Sequence, residues 1–161
     1  ENAMAFYAGR NIKIEKFLTQ EFVQEVHRKM YGEVWSWAGH FRKTDKNIGV
    51  HKWHIATTLK GLLDDAKFWF DNNIYHPEEI AIRFKHSLVS IHCFPNGNGR
   101  HSRLMADLLI SRVYRKGMHF SWGGATITEK SQAREEYLKA LRLADRGDIQ
   151  PLLGLPVFSS S

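Results

Sequence analysis

Leu59, Leu62, Leu63, Ala66 and Phe70 recur at the i, i+3, i+4, i+7, i+11 spacing of a single helix face. A helix with one apolar stripe must bury it against another element, and comparable stripes run through most of the chain. Thr19 predicts an N-cap for a helix carrying Phe22, Val23, Val26 and Met30 on one side, with Gly32 at its end. Pro77, Glu78 and Glu79 mark a second start, proline in the first turn and acids at the positive dipole end. Ile80, Phe84, Leu88 and Ile91 then share a face. Leu104, Met105, Leu108, Leu109 and Val113 form another stripe, and Tyr137, Leu141 and Ala144 a last one before Gly147. Residues 41–54 break the pattern. Their polar and β-branched content and the turn-prone Asp45-Lys46-Asn47 predict a short β-hairpin flap or an extended one. The expected fold is an all-α helical bundle with a short β-hairpin flap.

No repeat or linker divides the 161 residues, so a single domain over residues 1–161 is expected. A chain of this length buries roughly 70% of its unfolded surface, enough for a real core. Apolar residues at 43% and charged residues at 25% fit a globular protein and argue against disorder. No apolar run approaches the ~20 residues of a membrane span, and no secretory signal opens the chain. The only cysteine, Cys93, excludes an internal disulfide framework and a Cys-rich zinc site, so a cytoplasmic address is expected. The opening Glu1-Asn2-Ala3-Met4 does not read as a native start, and no function is placed on it. Lysine and arginine outnumber acids 23 to 17, which favours anionic partners without choosing among nucleotides, nucleic acid, acidic proteins or a membrane surface. Nine histidines bring proton-transfer capacity near neutral pH.

The chemistry concentrates in Ile91-His92-Cys93-Phe94-Pro95-Asn96-Gly97-Asn98-Gly99-Arg100-His101-Ser102-Arg103. One amphipathic helix ends near Ile91 and another begins near Asn98. The glycines between them allow positive φ and let successive amides converge on an anion. The loop runs into a helix N-terminus, whose free amides and dipole also attract anions. Arg100 and Arg103 project from one face toward the same end. Two guanidiniums, an amide nest and a dipole describe a polyphosphate site. His92 stands at the other lip, at a negative helix end that should favour its protonated form and make it a better proton acceptor than free histidine. A base beside a bound phosphate points to phosphoryl or nucleotidyl transfer to a hydroxyl. Asn96 offers a neutral oxygen to a metal such as Mg²⁺, which prefers oxygen ligands.

Residues 92–103 resemble the HxFx[D/E]GNGRxxR signature of Fic-domain proteins (the Fic/DOC family), matching every specified position but one. The similarity extends to Trp35-Ser36-Trp37-Ala38-Gly39-His40-Phe41-Arg42, to Asn47-Ile48-Gly49-Val50, and to Ala144-Asp145-Arg146-Gly147-Asp148 with Pro151-Leu152. It is strongest over residues 19–153 and looks closest to the branch called mobile mystery protein B. That branch is associated with mobile elements and a small helix-turn-helix partner. The resemblance implies transfer of AMP from ATP to a hydroxyl of a target protein, with Mg²⁺ or Mn²⁺ and release of pyrophosphate. It implies His92 as base, Phe94 as loop anchor, and Gly97, Asn98 and Gly99 as the anion hole. Arg100 would take the inner phosphates and Arg103 the terminal one. Asn47, Ile48, Gly49 and Val50 would lie in a flap that aligns the target as an added strand.

Two positions depart from the pattern. Cys93 replaces a common proline, a change expected to touch loop stiffness alone. Asn96 stands where an acid normally binds Mg²⁺, and losing that charge should weaken metal affinity. The alternatives are a catalytically weak nucleotide-binding protein or a Fic enzyme with other donor chemistry, such as phosphotransfer. The family's inhibitory helix, [S/T]xxxE[G/N], has no match: Ser131 with Glu135 is nearest, but Glu136 follows. Any such helix is expected in a preceding segment or a partner protein. The remaining candidates carry bland readings. His51 with His54, or His86 with His92 and His101, are read as surface or packed histidines rather than metal ligands. Trp35, Trp37, Trp53, Trp69 and Trp122 are read mostly as packing residues rather than base-stacking ones. Arg112, Arg115 and Lys116 are read as complementing a helix end, ahead of nucleic-acid binding.

Overall fold

The computed structural model describes residues 3–120, Leu143, Arg146, Gly147, Gln150 and residues 157–159. The chain forms two compact units, Glu1–Arg115 and Lys116–Ser161. The first is all-α, as the periodicity predicts: α1 (Ala3–Tyr7), α2 (Ile14–Phe17), α3 (Gln20–Tyr31), α4 (Ile55–Asp71), α5 (Pro77–Ile91) and α6 (Asn98–Leu108). A 3₁₀ turn, Lys52–His54, leads into α4, and α6 runs on into a π-helical turn, Leu109–Val113. In the second unit, β1 (Met118–Phe120) pairs antiparallel with β2 (Val157–Ser159), His119 opposite Phe158. The helix expected through Tyr137, Leu141 and Ala144, together with Trp122 and Ser131 to its nearest acid Glu135, lies outside the described residues.

Helix ends fall where the side chains demand. Thr19 Oγ1 accepts a hydrogen bond from the Phe22 amide at 3.1 Å, satisfying an N–H that has no acceptor within α3. Pro77 begins α5 and costs nothing there, because a first-turn N–H would be unpaired anyway. Leu59, Leu62, Leu63 and Ala66 are buried on α4, and Ile80, Phe84, Leu88 and Ile91 on α5. α5 packs against both α4 and α6 and is the central element of this unit. Phe17 joins the layers, its ring 5.4 Å from Phe22 and 5.6 Å from Phe84. Full burial of each such side chain is worth about 1.5–3 kcal/mol. No helix among the described residues is long and apolar enough to cross a membrane.

The flap departs from expectation. Residues 41–51 contain no strand and hence no hairpin ladder. Side chains close the loop instead. Asp45 Oδ1 accepts from the Lys52 amide at 2.8 Å, and its carboxylate pairs with His51 at 3.0 Å. Both ends are tied to the end of α5: the Arg42 amide donates to the Cys93 carbonyl at 2.9 Å, and the Val50 amide to the Ile91 carbonyl at 3.2 Å. Backbone groups that a ladder would pair across the flap are used by α5 and by the Arg42 and Asp45 side chains.

Candidate active site

α5 ends at Ile91 because His92 adopts the left-handed conformation, φ 58°, as its C-cap. The terminal carbonyls then need donors, and Arg42 supplies them. Its Nε donates to the His92 carbonyl at 2.6 Å, Nη1 to Thr44 O at 2.8 Å, and Nη2 to the carbonyls of Val50 and of Ile91. The side chain is buried, with Asp45 at 3.8 Å from Nη1. A cation therefore already complements the α5 dipole, and it is not His92. Burial first, then the charges of Arg42 and Lys46, hold the His92 imidazole below its ordinary range. This corrects the expectation of a raised basicity. His92 is neutral at pH 7 and open to a proton, but a weaker base than free histidine.

The loop beyond is held from below. Phe94 is fully buried, stacked on His27 at 3.8 Å and 17°, with the His101 ring edge-on at 5.0 Å. Asn98 clasps the loop with its side chain: Oδ1 accepts from the Phe94 amide at 3.0 Å and Nδ2 donates to the Phe94 carbonyl at 2.7 Å. What Asn98 can offer an anion is therefore its backbone amide. His27 fixes the far side. The Gly39 amide donates to Nδ1 at 2.9 Å, leaving the proton on Nε2, which donates to the Asn96 carbonyl at 3.0 Å. Burial keeps His27 neutral by lowering its affinity for a second proton.

Gly97, φ 80°, is the N-cap of α6, and no side chain caps this helix. The amides of Asn98, Gly99 and Arg100 form its first turn, where no intrahelical acceptor exists. Of the two loop glycines, Gly97 alone has positive φ; Gly99 is helical. A pocket of about 510 Å³ opens over this turn, lined by His92, residues 96–100, Arg103 and Ile48, with Tyr31, Trp35 and Val89. Arg100 is exposed and Arg103 half-buried. Burial first, then the neighbouring Arg100, lowers the Arg103 proton affinity. Two crowded cations beside unsatisfied amides are a site that an oligophosphate stabilises.

The structure thus brings together His92, Asn96, Gly97, Asn98, Gly99, Arg100 and Arg103 with one flap residue, Ile48. Phe94 lies beneath them. Gly49, φ 90°, is pressed onto His92: a Cβ there would stand 2.6 Å from the His92 Cβ. Val50 faces a separate groove between α4 and α5, and Asn47 is exposed.

Among the described residues, the donors at this pocket do not make a protein-held site for a divalent cation. Asn96 Oδ1 is neutral and already accepts from the Gly97 amide at 2.8 Å. No carboxylate lines the pocket, and no group of three His, Cys, Asp or Glu side chains converges among the described residues. His101 donates from Nε2 to the Val23 carbonyl at 2.9 Å, and burial pushes its pKa down to about 3. Burial also pushes the Cys93 thiol up to about 12, so it stays protonated and unreactive. Among the tryptophans, Trp35 and Trp37 stack on each other at 4.5 Å, whereas Trp53 is 76% exposed.

Arg42, His27, Tyr31 and Lys85 were missed as site-forming residues by sequence reasoning. Lys85, buried on α5, has its pKa lowered to about 7 by burial and by the charge of Arg103. A charged residue inside an apolar helix face was the available signal for Lys85. For the other three a decisive partner is remote in the chain: His27 reaches Gly39 and Asn96, 12 and 69 positions away, Arg42 reaches Ile91 and His92, 49 and 50 away, and Tyr31 lies against Gly97.

A sequence model described as the Fic/DOC family matches residues 17–110. The chain is similar to "Protein adenylyltransferase Fic" of Aedes aegypti, 28% identical over 155 residues, covering 94% of this chain and 29% of that protein. It thus spans less than a third of that relative's length. Among solved structures it resembles Fic-1 (residues 134–508) from C. elegans, with a TM-score of 0.69, 26% identity, and coverage of 94% of this chain and 43% of that one. It also shares its fold with the BepC protein of Bartonella tribocorum, solved with bound AMPPNP, at TM-score 0.69 and 18% identity, covering 99% and 82%.

Proposed function

The chain belongs to the Fic/DOC family, and from that membership we propose that it transfers AMP from ATP to a hydroxyl side chain of a target protein. The observation that carries this reading is the neutral His92 lining one pocket with the uncapped first turn of α6, Arg100 and Arg103. The name of the Aedes aegypti relative supports it.

In this reading His92 takes the proton of the target hydroxyl as its oxygen bonds to the α-phosphorus of ATP. The bond from that phosphorus to the α,β-bridging oxygen breaks, and pyrophosphate leaves with the electron pair. The α6 amides and Arg100 stabilise the charge on the inner phosphates, and Arg103 that on the terminal one. The target backbone lies along residues 47–50, with Ile48, 63% exposed, as an apolar contact. A carboxylate from a partner protein that paired with Arg103 would compete with the terminal phosphate and restrain the reaction.

A second reading rests on Asn96. Its committed amide oxygen and the absence of a carboxylate among the described residues lining the pocket favour a protein that binds nucleotide and transfers slowly. Label transfer separates these readings. With ATP labelled at the α-phosphate and Mg²⁺ or Mn²⁺ present, label should enter a target or the chain itself and vanish in His92→Ala. Label only with Asn96→Asp means the native site is impaired at the metal position. Transfer from γ-labelled ATP instead would identify phosphotransfer and overturn the proposal.

A further inference from the structure

Tyr31 closes α3 and is 9% exposed, and its ring forms part of the pocket wall. It lies directly against the phosphate loop. A Cβ on Gly97 would stand 2.5 Å from the Tyr31 Cε2 and 3.0 Å from its hydroxyl. That hydroxyl is buried and has no hydrogen-bond partner among the described residues. Leaving a buried hydroxyl unpaired costs the desolvation of the group, so such atoms are uncommon without a reason. The ring is not free to turn toward another acceptor. It is stacked on Trp35 at 4.5 Å and flanked by His27 at 5.0 Å.

What surrounds the hydroxyl indicates what would satisfy it. Gly97 leads into the first-turn amides of α6, which are donors without intrahelical acceptors. Arg103 is within electrostatic reach of Tyr31, and its Nη1 lies 3.4 Å from where a Cβ on Gly99 would be. The α6 amides and Arg103 are donors, the latter a cation, and like the Tyr31 hydroxyl they call for an acceptor. An incoming carbonyl satisfies one of them; an oligophosphate has enough oxygens for all. We propose, resting on the phosphate-site reading above, that the Tyr31 hydroxyl is a ligand donor: it hydrogen-bonds a non-bridging oxygen of the bound phosphate chain between Gly97 and Arg103.

This role has a signature that a structural hydroxyl lacks. Removing the oxygen takes an unpaired polar atom out of the free protein, so stability holds or rises, while binding of the anion weakens. The test is calorimetric titration of wild type and Tyr31→Phe, full chain, in EDTA, with inorganic tripolyphosphate and with ATP, alongside thermal melts of the free proteins. Tyr31→Phe should weaken tripolyphosphate about tenfold, the loss of one charge-assisted bond, with an unchanged or higher Tm. Equal affinities in the two proteins would overturn the assignment, and so would a lowered Tm in free Tyr31→Phe. Tripolyphosphate binding that depends on Tyr31 but is matched by no preference for ATP leaves the donor role standing and sinks the nucleotide reading. Full AMP transfer with an unaltered tripolyphosphate affinity in Tyr31→Phe does the reverse.

Discussion

Whether His92 can act as a base is decided by what surrounds it, more than by its place at a helix end. The dipole argument alone predicts a raised pKa, and it fails first because the imidazole is partly buried, and then because Arg42 occupies the carbonyls that a protonated imidazole would have complemented and adds its own charge. Position in the sequence shows the helix end; it does not show that a guanidinium fifty residues earlier reaches it. The sign of the pH dependence follows. His92 gains its proton only below the ordinary value of 6.5, so kcat/KM for transfer should stay level from pH 8 to about 6.5 and fall with an acid limb beneath it. Arg42→Ala leaves four carbonyls without their shared cation and should cost about 3 kcal/mol in urea denaturation. Arg42→Lys, a point charge without the fork, should recover part of that loss and not all of it.

At the scale of elements, the helix ends were legible and the flap was not. Thr19, Pro77 and the Ile91-to-Asn98 interval carry local signals, and each marks a boundary in the structure. The flap looked like a hairpin because its composition is strand-like. Its backbone is instead claimed by α5, a competitor that no local pattern reveals. The loop's glycine requirement was legible in kind, but its cause is partly tertiary. Gly97 needs φ 80°, and the Tyr31 ring leaves no room for a methyl group. Gly97→Ala should therefore cost about 2–4 kcal/mol, strain and overpacking together, where a solvent-exposed turn glycine would cost about 1. Chemical denaturation with phosphate binding measured in parallel checks this, since the same substitution should displace the α6 entry.

For the molecule as a whole, the twelve-residue signature and the alternating helices carried the family and the all-α reading of Glu1–Arg115. What they withheld was the buried polar framework beneath the site. His27 and His101 are held neutral by burial, the latter down to about 3. The unfolded chain takes up those protons near pH 6.5, before the folded chain does. Stability contributed by these two groups is thus full above that pH and is lost progressively as pH falls toward the folded values. The urea midpoint should decline through this range, steepening by up to about 1.4 kcal/mol per pH unit for each histidine. His101→Gln, which has no proton to gain, should flatten its share of the slope.

The flap is fastened at Arg42 and at Val50, while residues 43–49 between these points face solvent. If residues 47–50 align a target as proposed above, chemistry and choice of target are carried by separable stretches of chain. The two fastenings and Gly49 belong to the machine, because they bear on His92 and the α5 end. Within that span Asp45 holds the loop and Ile48 lines the pocket, so the side chains of Lys43, Thr44 and Asn47 are the ones free to drift in sequence while the frame around His92 stays constant. On that proposal, a lineage with this arrangement can acquire new targets without rebuilding the pocket over α6.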